Sequence, residues 1–136
     1  MPALDTNVLV RYLVRDDGAQ LAAAKRLIEA CIAADQALFV PVTVTLELEW
    51  VLRASYELGK DEVTQVLASL LAAAELTFES EHALEIALQL YREGPADFAD
   101  CLHVALAEQA GQAPLYTFDK RAAKVQGAQA VGGSGR

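Results

Sequence analysis

"LDTNVLVRYL", residues 4–13, ends a short apolar start on Asp5, spends Thr6 and Asn7, and then resumes in valine and leucine at helical spacing. This order reads as the end of a strand, a turn carrying an acid, and the first turn of a helix, because Asp, Thr and Asn all favour helix N-termini. Capping alone accounts for Asp5 if nothing else meets it. Whether it does more depends on which other acids the fold brings to the same place.

The same alternation recurs along the chain. "ALFVPV" (37–42), "ELTFE" (75–79) and "PLYTF" (114–118) are strand-length runs like the opening "MPAL". Segments of helical period lie at 7–15, 18–34, 44–57, 61–74, 81–92, 98–110 and 120–125, and Gly59, Gly94 with Pro95, and Gly111 punctuate them as C-terminal stops. Strands alternating with helices predict an α/β fold, a three-layer α/β/α sandwich around a central parallel sheet of four or five strands. Residues 1–126 are expected to form one domain. The tail 127–136, "GAQAVGGSGR", is expected to add a short edge strand and then run on as flexible chain.

With 136 residues, 54% hydrophobic and 22% charged, the chain reads as an ordinary globular domain. Its longest apolar run, "LASLLAAA" at 67–74, is far short of a membrane span, and the start lacks the pattern of a signal peptide, so the cytoplasm is the expected location. Cys31 and Cys101 have no Cys-x-x-Cys spacing and read as small buried hydrophobes. The net charge of −8 opposes long-range attraction to nucleic acid, so such a substrate would need local cations or metal ions.

In open parallel sheets, sites form beyond the carboxyl ends of the strands. Asp5 and Asp119 both follow strands there, Glu47 lies early in the helix after "FVPVT", and Asp97 with Asp100 opens "DFADCLHVALAEQA". On a helical projection Val44, Leu48, Val51, Leu52 and Ser55 form an apolar stripe with Glu47 in its margin. Glu49 falls on the other side, near Arg53, as half of a solvated ion pair. Glu47 is therefore expected to face inward, where a carboxylate must be paired, protonated or bound to metal.

Each acid also has a bland account. A neighbouring arginine or backbone donors could satisfy Glu47; Asp97 and Asp100 could be a capping box with Asp at the third helical position; Asp119 could cap the turn that begins at Lys120. Magnitude separates the readings. Two carboxylates about 5 Å apart repel by about 3 kcal/mol at an effective dielectric near 20, whereas a cap contributes about 1 kcal/mol. Clustered acids therefore imply raised pKa values or bound cations. An all-oxygen donor set suits Mg²⁺ or Mn²⁺ and phosphate chemistry better than zinc.

Arg11 and Arg15, four apart on the first helix, and Lys120, Arg121 and Lys124 after Asp119 could neutralise phosphates beside such a pocket, or could simply be solvated helix faces. Thr6 and Thr117 could position water or metal-bound ligands, or cap and fill strands. His103 reads as an ordinary helix residue, His82 as an exposed residue at a helix start, and Trp50 and Tyr12 as packing residues.

Four blocks, "LDTNVLVRYL", "PVTVTLELEWVL" (41–52), "ADFADCLHVALA" (96–107) and "LYTFDKRAAK" (115–124), together resemble the PIN-domain nucleases, most closely the bacterial VapC-type toxins of toxin–antitoxin pairs. The resemblance runs from residue 3 to about 125. It implies that Asp5, Glu47, Asp100 and Asp119 are the catalytic metal-binding acids, that Asp97 is an extra acid of the "ADFAD" subgroup, and that Thr117 helps orient metal-bound water. It also implies Mg²⁺- or Mn²⁺-assisted hydrolysis of RNA, a homodimer, and a VapB-type antitoxin as partner. His103 departs from the more apolar pattern of relatives without removing a ligand. A non-catalytic or signalling α/β domain with an acidic Mg²⁺ pocket is the competing class. A phosphate-accepting receiver would want adjacent acids before the strand that ends on Asp5. A dehalogenase-type phosphatase would want an acid where Asn7 stands.

Overall fold

Short strands and long helices alternate in the computed structural model, which describes residues 1–14 and 18–132. In chain order these are α1 (Thr6–Val14), α2 (Gly18–Ala33), β1 (Leu38–Val40), α3 (Val42–Ala54), α4 (Lys60–Leu71), β2 (Leu76–Phe78), α5 (Glu81–Glu93), α6 (Phe98–Gln109), β3 (Leu115–Thr117), a 3-10 turn at Ala122–Lys124, and β4 (Ala128–Ala130). The order is that of an α/β protein. Among the described residues the strands form two parallel two-stranded sheets, β1 with β2 and β3 with β4, where a single sheet of four or five was expected. Residues 133–136 of the expected flexible tail lie outside the described residues.

The chain divides into two units. The first comprises Met1–Gly59 and Ser69–Glu79. Here β1 and β2 pair in register Leu38↔Leu76, Phe39↔Thr77 and Val40↔Phe78. The opening "MPAL" adds a single parallel bridge, Ala3↔Phe39. Its two hydrogen bonds run from the Phe39 N–H to the Pro2 carbonyl at 2.7 Å and from the Leu4 N–H to the Phe39 carbonyl at 2.9 Å. Pro2 has no N–H to extend this ladder, and the chain enters α1 two residues after Leu4. α1 packs against α2 and α3, and Leu4, Leu9, Leu38, Leu48 and Leu52 are buried in the core.

Pro41 occupies the N-cap of α3 and has no side chain able to cap it, and the N–H of Val42 is taken instead by Glu79 Oε1 at 2.9 Å. A carboxylate at that end also complements the helix dipole. α3 stops at Ala54, three residues before the expected end, and Gly59 does not terminate it but directly precedes α4. Glu57, at φ 54°, makes the left-handed turn in its place.

The second unit comprises Lys60–Ala68 and Ser80–Arg136. α5 buries Ala83, Leu84, Ala87, Leu88 and Tyr91, spaced along one stripe, and packs on α6, which buries Phe98, Cys101, Leu102 and Ala105. The Tyr91 and Phe98 rings meet edge to face with centroids 5.6 Å apart, an arrangement that adds about 1 kcal/mol to their burial. Lys60 fastens the exit of α5: its Nζ donates to the Gly94 carbonyl at 2.8 Å and lies 4.6 Å from the Tyr91 ring centre. Gly94 and Gly111 do end α5 and α6, Gly111 in the left-handed region at φ 72°.

Candidate active site

Asp5 follows the Ala3 bridge and directly precedes α1, where its carbonyl accepts the N–H groups of Val8 and Leu9. Its side chain does not cap in the usual way, by accepting from the second or third helical N–H. Instead Asp5 Oδ1 accepts the N–H of Thr6 at 2.7 Å. Thr6, only 3% exposed, donates its hydroxyl to Glu47 Oε1 on α3. One buried threonine thus holds two exposed carboxylates of the first unit, Asp5 by its amide and Glu47 by its hydroxyl. Thr6 neither caps nor fills a strand.

The expected inward Glu47 is corrected. The buried side of α3 carries Thr45, Leu48, Glu49 and Leu52, so the helix is rotated toward Thr45 and Glu49 relative to the stripe centred on Val44 and Val51. Glu49 is the buried acid, 1% exposed, and its Oε2 lies 2.9 Å from Arg53 Nε. Hydrophobicity alone misplaces the stripe because the ion pair with Arg53 makes a charged residue tolerable on the core side. Glu47 lies on the solvent face with Trp50, one turn on and 56% exposed, so Trp50 is not a packing residue.

In the second unit Asp97 stands at the N-cap of α6 with no side-chain capping bond. The capping-box account of Asp97 and Asp100 therefore fails for Asp97, whose Oδ1 lies 3.6 Å from Arg121 Nη2. Asp100, in the first turn of α6, is half-buried. Burial pushes its carboxyl above the ordinary carboxylate range, the charges of Asp119 and Asp97 push it further, and His103 and Arg121 pull the other way. Asp119 has the opposite behaviour: hydrogen bonds from the Ala122 and Arg121 amides hold it below the ordinary value. Its Oδ1 accepts those two N–H groups at 2.9 and 2.8 Å, so the capping account of Asp119 holds. The Asp119 N–H in turn donates to Thr117 Oγ1 at 3.0 Å, which makes Thr117 the residue that sets the Asp119 turn.

Asp97, Asp100 and Asp119 thus share one electrostatic neighbourhood, with the exposed Arg121 as a cation in it. Cys101 beside them is buried and its thiol is pushed up to about 11, first by burial and then by Asp100, so it is no nucleophile. The donor set of both units is all-oxygen and suits a hard divalent cation in kind. Among the described residues, no three of His, Cys, Asp and Glu converge closely enough to hold a metal ion.

Of the expected RNA contacts, Lys120 and Arg121 are exposed. Arg11 is not a free surface cation: it is half-buried and donates to the Tyr56 hydroxyl at 3.1 Å and to Gln20. Arg15 lies outside the described residues. His82 is exposed at the start of α5, and both cysteines are buried, as expected. Glu79 and Lys60 have structural roles that sequence reasoning misses; a proline at a helix start, unable to cap, is the available signal for Glu79.

The family model of the PIN domain matches residues 3–128. A VapC ribonuclease of Aquifex aeolicus (strain VF5) is 26% identical over 125 residues, covering 92% of each chain. The matched span contains every acid described above, and on that match the chain belongs to the PIN-domain family.

Proposed function

We propose that this chain is a ribonuclease, a hydrolase of RNA phosphodiester bonds, acting as the toxin of a type II toxin–antitoxin system. The observation that carries the reading is the near full-length likeness to a protein named VapC ribonuclease, within a PIN-domain match that spans residues 3–128.

Asp5, Glu47, Asp97, Asp100 and Asp119 would hold one or two divalent ions, Mg²⁺ or Mn²⁺, and Asp5, Glu47, Asp100 and Asp119 are the acids on which cleavage depends. A bound ion supplies a water of lowered pKa and stabilises charge on the phosphate. The chain's own part is positioning. Thr6 orients Asp5 and Glu47, Thr117 orients Asp119, and Asp100, raised by burial and then by the charges of Asp119 and Asp97, would be held ionised by a bound cation. Lys120 and Arg121 bind substrate phosphates, both being exposed. The reading brings with it the α/β architecture of the family. It also brings a homodimer, a VapB-type antitoxin as partner and a cytoplasmic location. No described helix is long and apolar enough to cross a membrane.

The test is digestion of RNA with Mg²⁺ or Mn²⁺, with EDTA and Asp5→Asn as controls. Cleavage by the wild type alone, abolished by either control, is expected. Equal activity in the Asn variant overturns the assignment.

A further inference from the structure

The chain has four phenylalanines. Phe78 and Phe98 are buried and Phe39 is half-buried, but Phe118 is 86% exposed. Tyr116, two residues earlier on β3, is 62% exposed, whereas its neighbours Leu115 and Thr117 are half-buried. Gln129 pairs with Tyr116 across to β4 and is exposed as well, and Val131 just beyond it is 40% exposed. The β3–β4 pair therefore presents an uncovered aromatic surface to solvent.

Its surroundings indicate what such a surface takes. Phe118 is followed at once by Asp119 and then by the exposed cations Lys120, Arg121 and Lys124. In a chain of net charge −8, three of the eleven lysines and arginines fall within these five residues. Flat aromatic faces beside lysine and arginine are the two elements that single-stranded nucleic acid requires: bases stack on the rings while phosphates follow the cations. Paired bases offer no free face to stack.

We infer that Phe118, with Tyr116, is a stacking platform for unpaired bases of an RNA strand whose phosphates run along Lys120 and Lys124. The inference rests on the ribonuclease reading and adds to it the residues that grip the strand. Because Phe118 adjoins Asp119, a base stacked there registers the strand beside that acid.

The test measures binding, with cleavage silenced by Asp5→Asn, of a fluorescent unpaired oligoribonucleotide and of the same sequence in a duplex. Phe118→Leu keeps the apolar bulk and removes the ring. It is expected to weaken binding of the unpaired strand about tenfold, to leave duplex binding unchanged, and to leave the salt dependence unchanged because the cations remain. Phe118→Trp restores affinity. In a Trp50→Phe background the new indole, the chain's one tryptophan, is quenched by RNA.

If the wild type cuts RNA but Phe118→Leu binds as tightly as its parent, the platform is overturned and the ribonuclease reading stands. If Phe118→Leu changes the sedimentation of the protein alone, the face joins two copies of the chain and the platform is likewise overturned. If the wild type cuts no RNA, the functional reading itself falls.

Discussion

Thr6 donates its hydroxyl to Glu47 while its amide donates to Asp5, so the heading of one carboxylate is tied to that of the other through a single buried residue. Residues that orient metal ligands through hydrogen bonds typically affect metal affinity by about 10- to 100-fold. Thr6→Val keeps the shape and loses the donor. RNA cleavage measured against Mg²⁺ concentration should then half-saturate at about tenfold higher metal, with a stability loss of about 1 kcal/mol. An unchanged metal requirement would show that the bond orients nothing.

Glu47 and Glu49, two residues apart on α3, should respond in opposite ways. Glu47 is exposed, so Glu47→Gln should abolish cleavage and leave unfolding by urea within about 0.5 kcal/mol of the wild type. Arg53→Met leaves Glu49 buried beside a lost partner and should cost about 2–4 kcal/mol. Equal stability losses in the two variants would contradict the observed rotation of α3.

That rotation also marks how far the sequence can be read. The helices are legible to within a few residues because capping residues, glycines and apolar spacing coincide, as at Gly94 and Gly111. The places of Asp5, Asp97, Asp100 and Asp119 in the fold are legible because each sits at the end of a strand or the start of a helix. The failures lie where contacts distant in sequence, or charge, decide. The burial of Glu49 depends on a specific partner, Arg53, that hydropathy does not count. The first strand shrinks to a bridge at Ala3, where Pro2 has no N–H to offer. Arg11 turns from a surface cation into a donor for Tyr56, forty-five residues away.

The pH dependence of stability should carry the signature of Asp100. Its folded pKa is raised above the unfolded value, so the folded state binds its proton more tightly and stability falls as pH rises from the ordinary carboxylate value through the raised one. Asp100→Asn removes that liability and should stabilise the protein at pH 7, by less than about 1 kcal/mol because solvent screens a half-buried group. The gain should shrink toward zero as pH drops below the ordinary carboxylate range, where the wild-type group is protonated in both states. Urea midpoints at about pH 7 and about pH 3 measure it. A gain that persists undiminished in acid would place its origin elsewhere.

Gly127, at φ 102° between the 3-10 turn and β4, is positioned so that an added Cβ would come within 2.9 Å of Val104 Cγ1 on α6. Gly127→Ala combines a left-handed backbone with a clash against a buried residue. Thermal unfolding should show a loss of about 2–4 kcal/mol. Gly111→Ala has the same sign of φ and open space around it, and should lose only about 1 kcal/mol.

Asp119 spends Oδ1 on two backbone amides, and this narrows the coordination it can supply. An oxygen already receiving two hydrogens is a poor donor to anything else, so a cation bound as in the proposed function would meet Oδ2 alone and not a chelating pair of oxygens. Under that proposal calcium, which draws on bidentate carboxylates to reach about seven or eight neighbours, would gain little from such a group, while a six-coordinate magnesium that takes one oxygen per acid and keeps its waters would be well served. On the proposed function, the tight turn after β3 would thereby discriminate between cations by ionic radius.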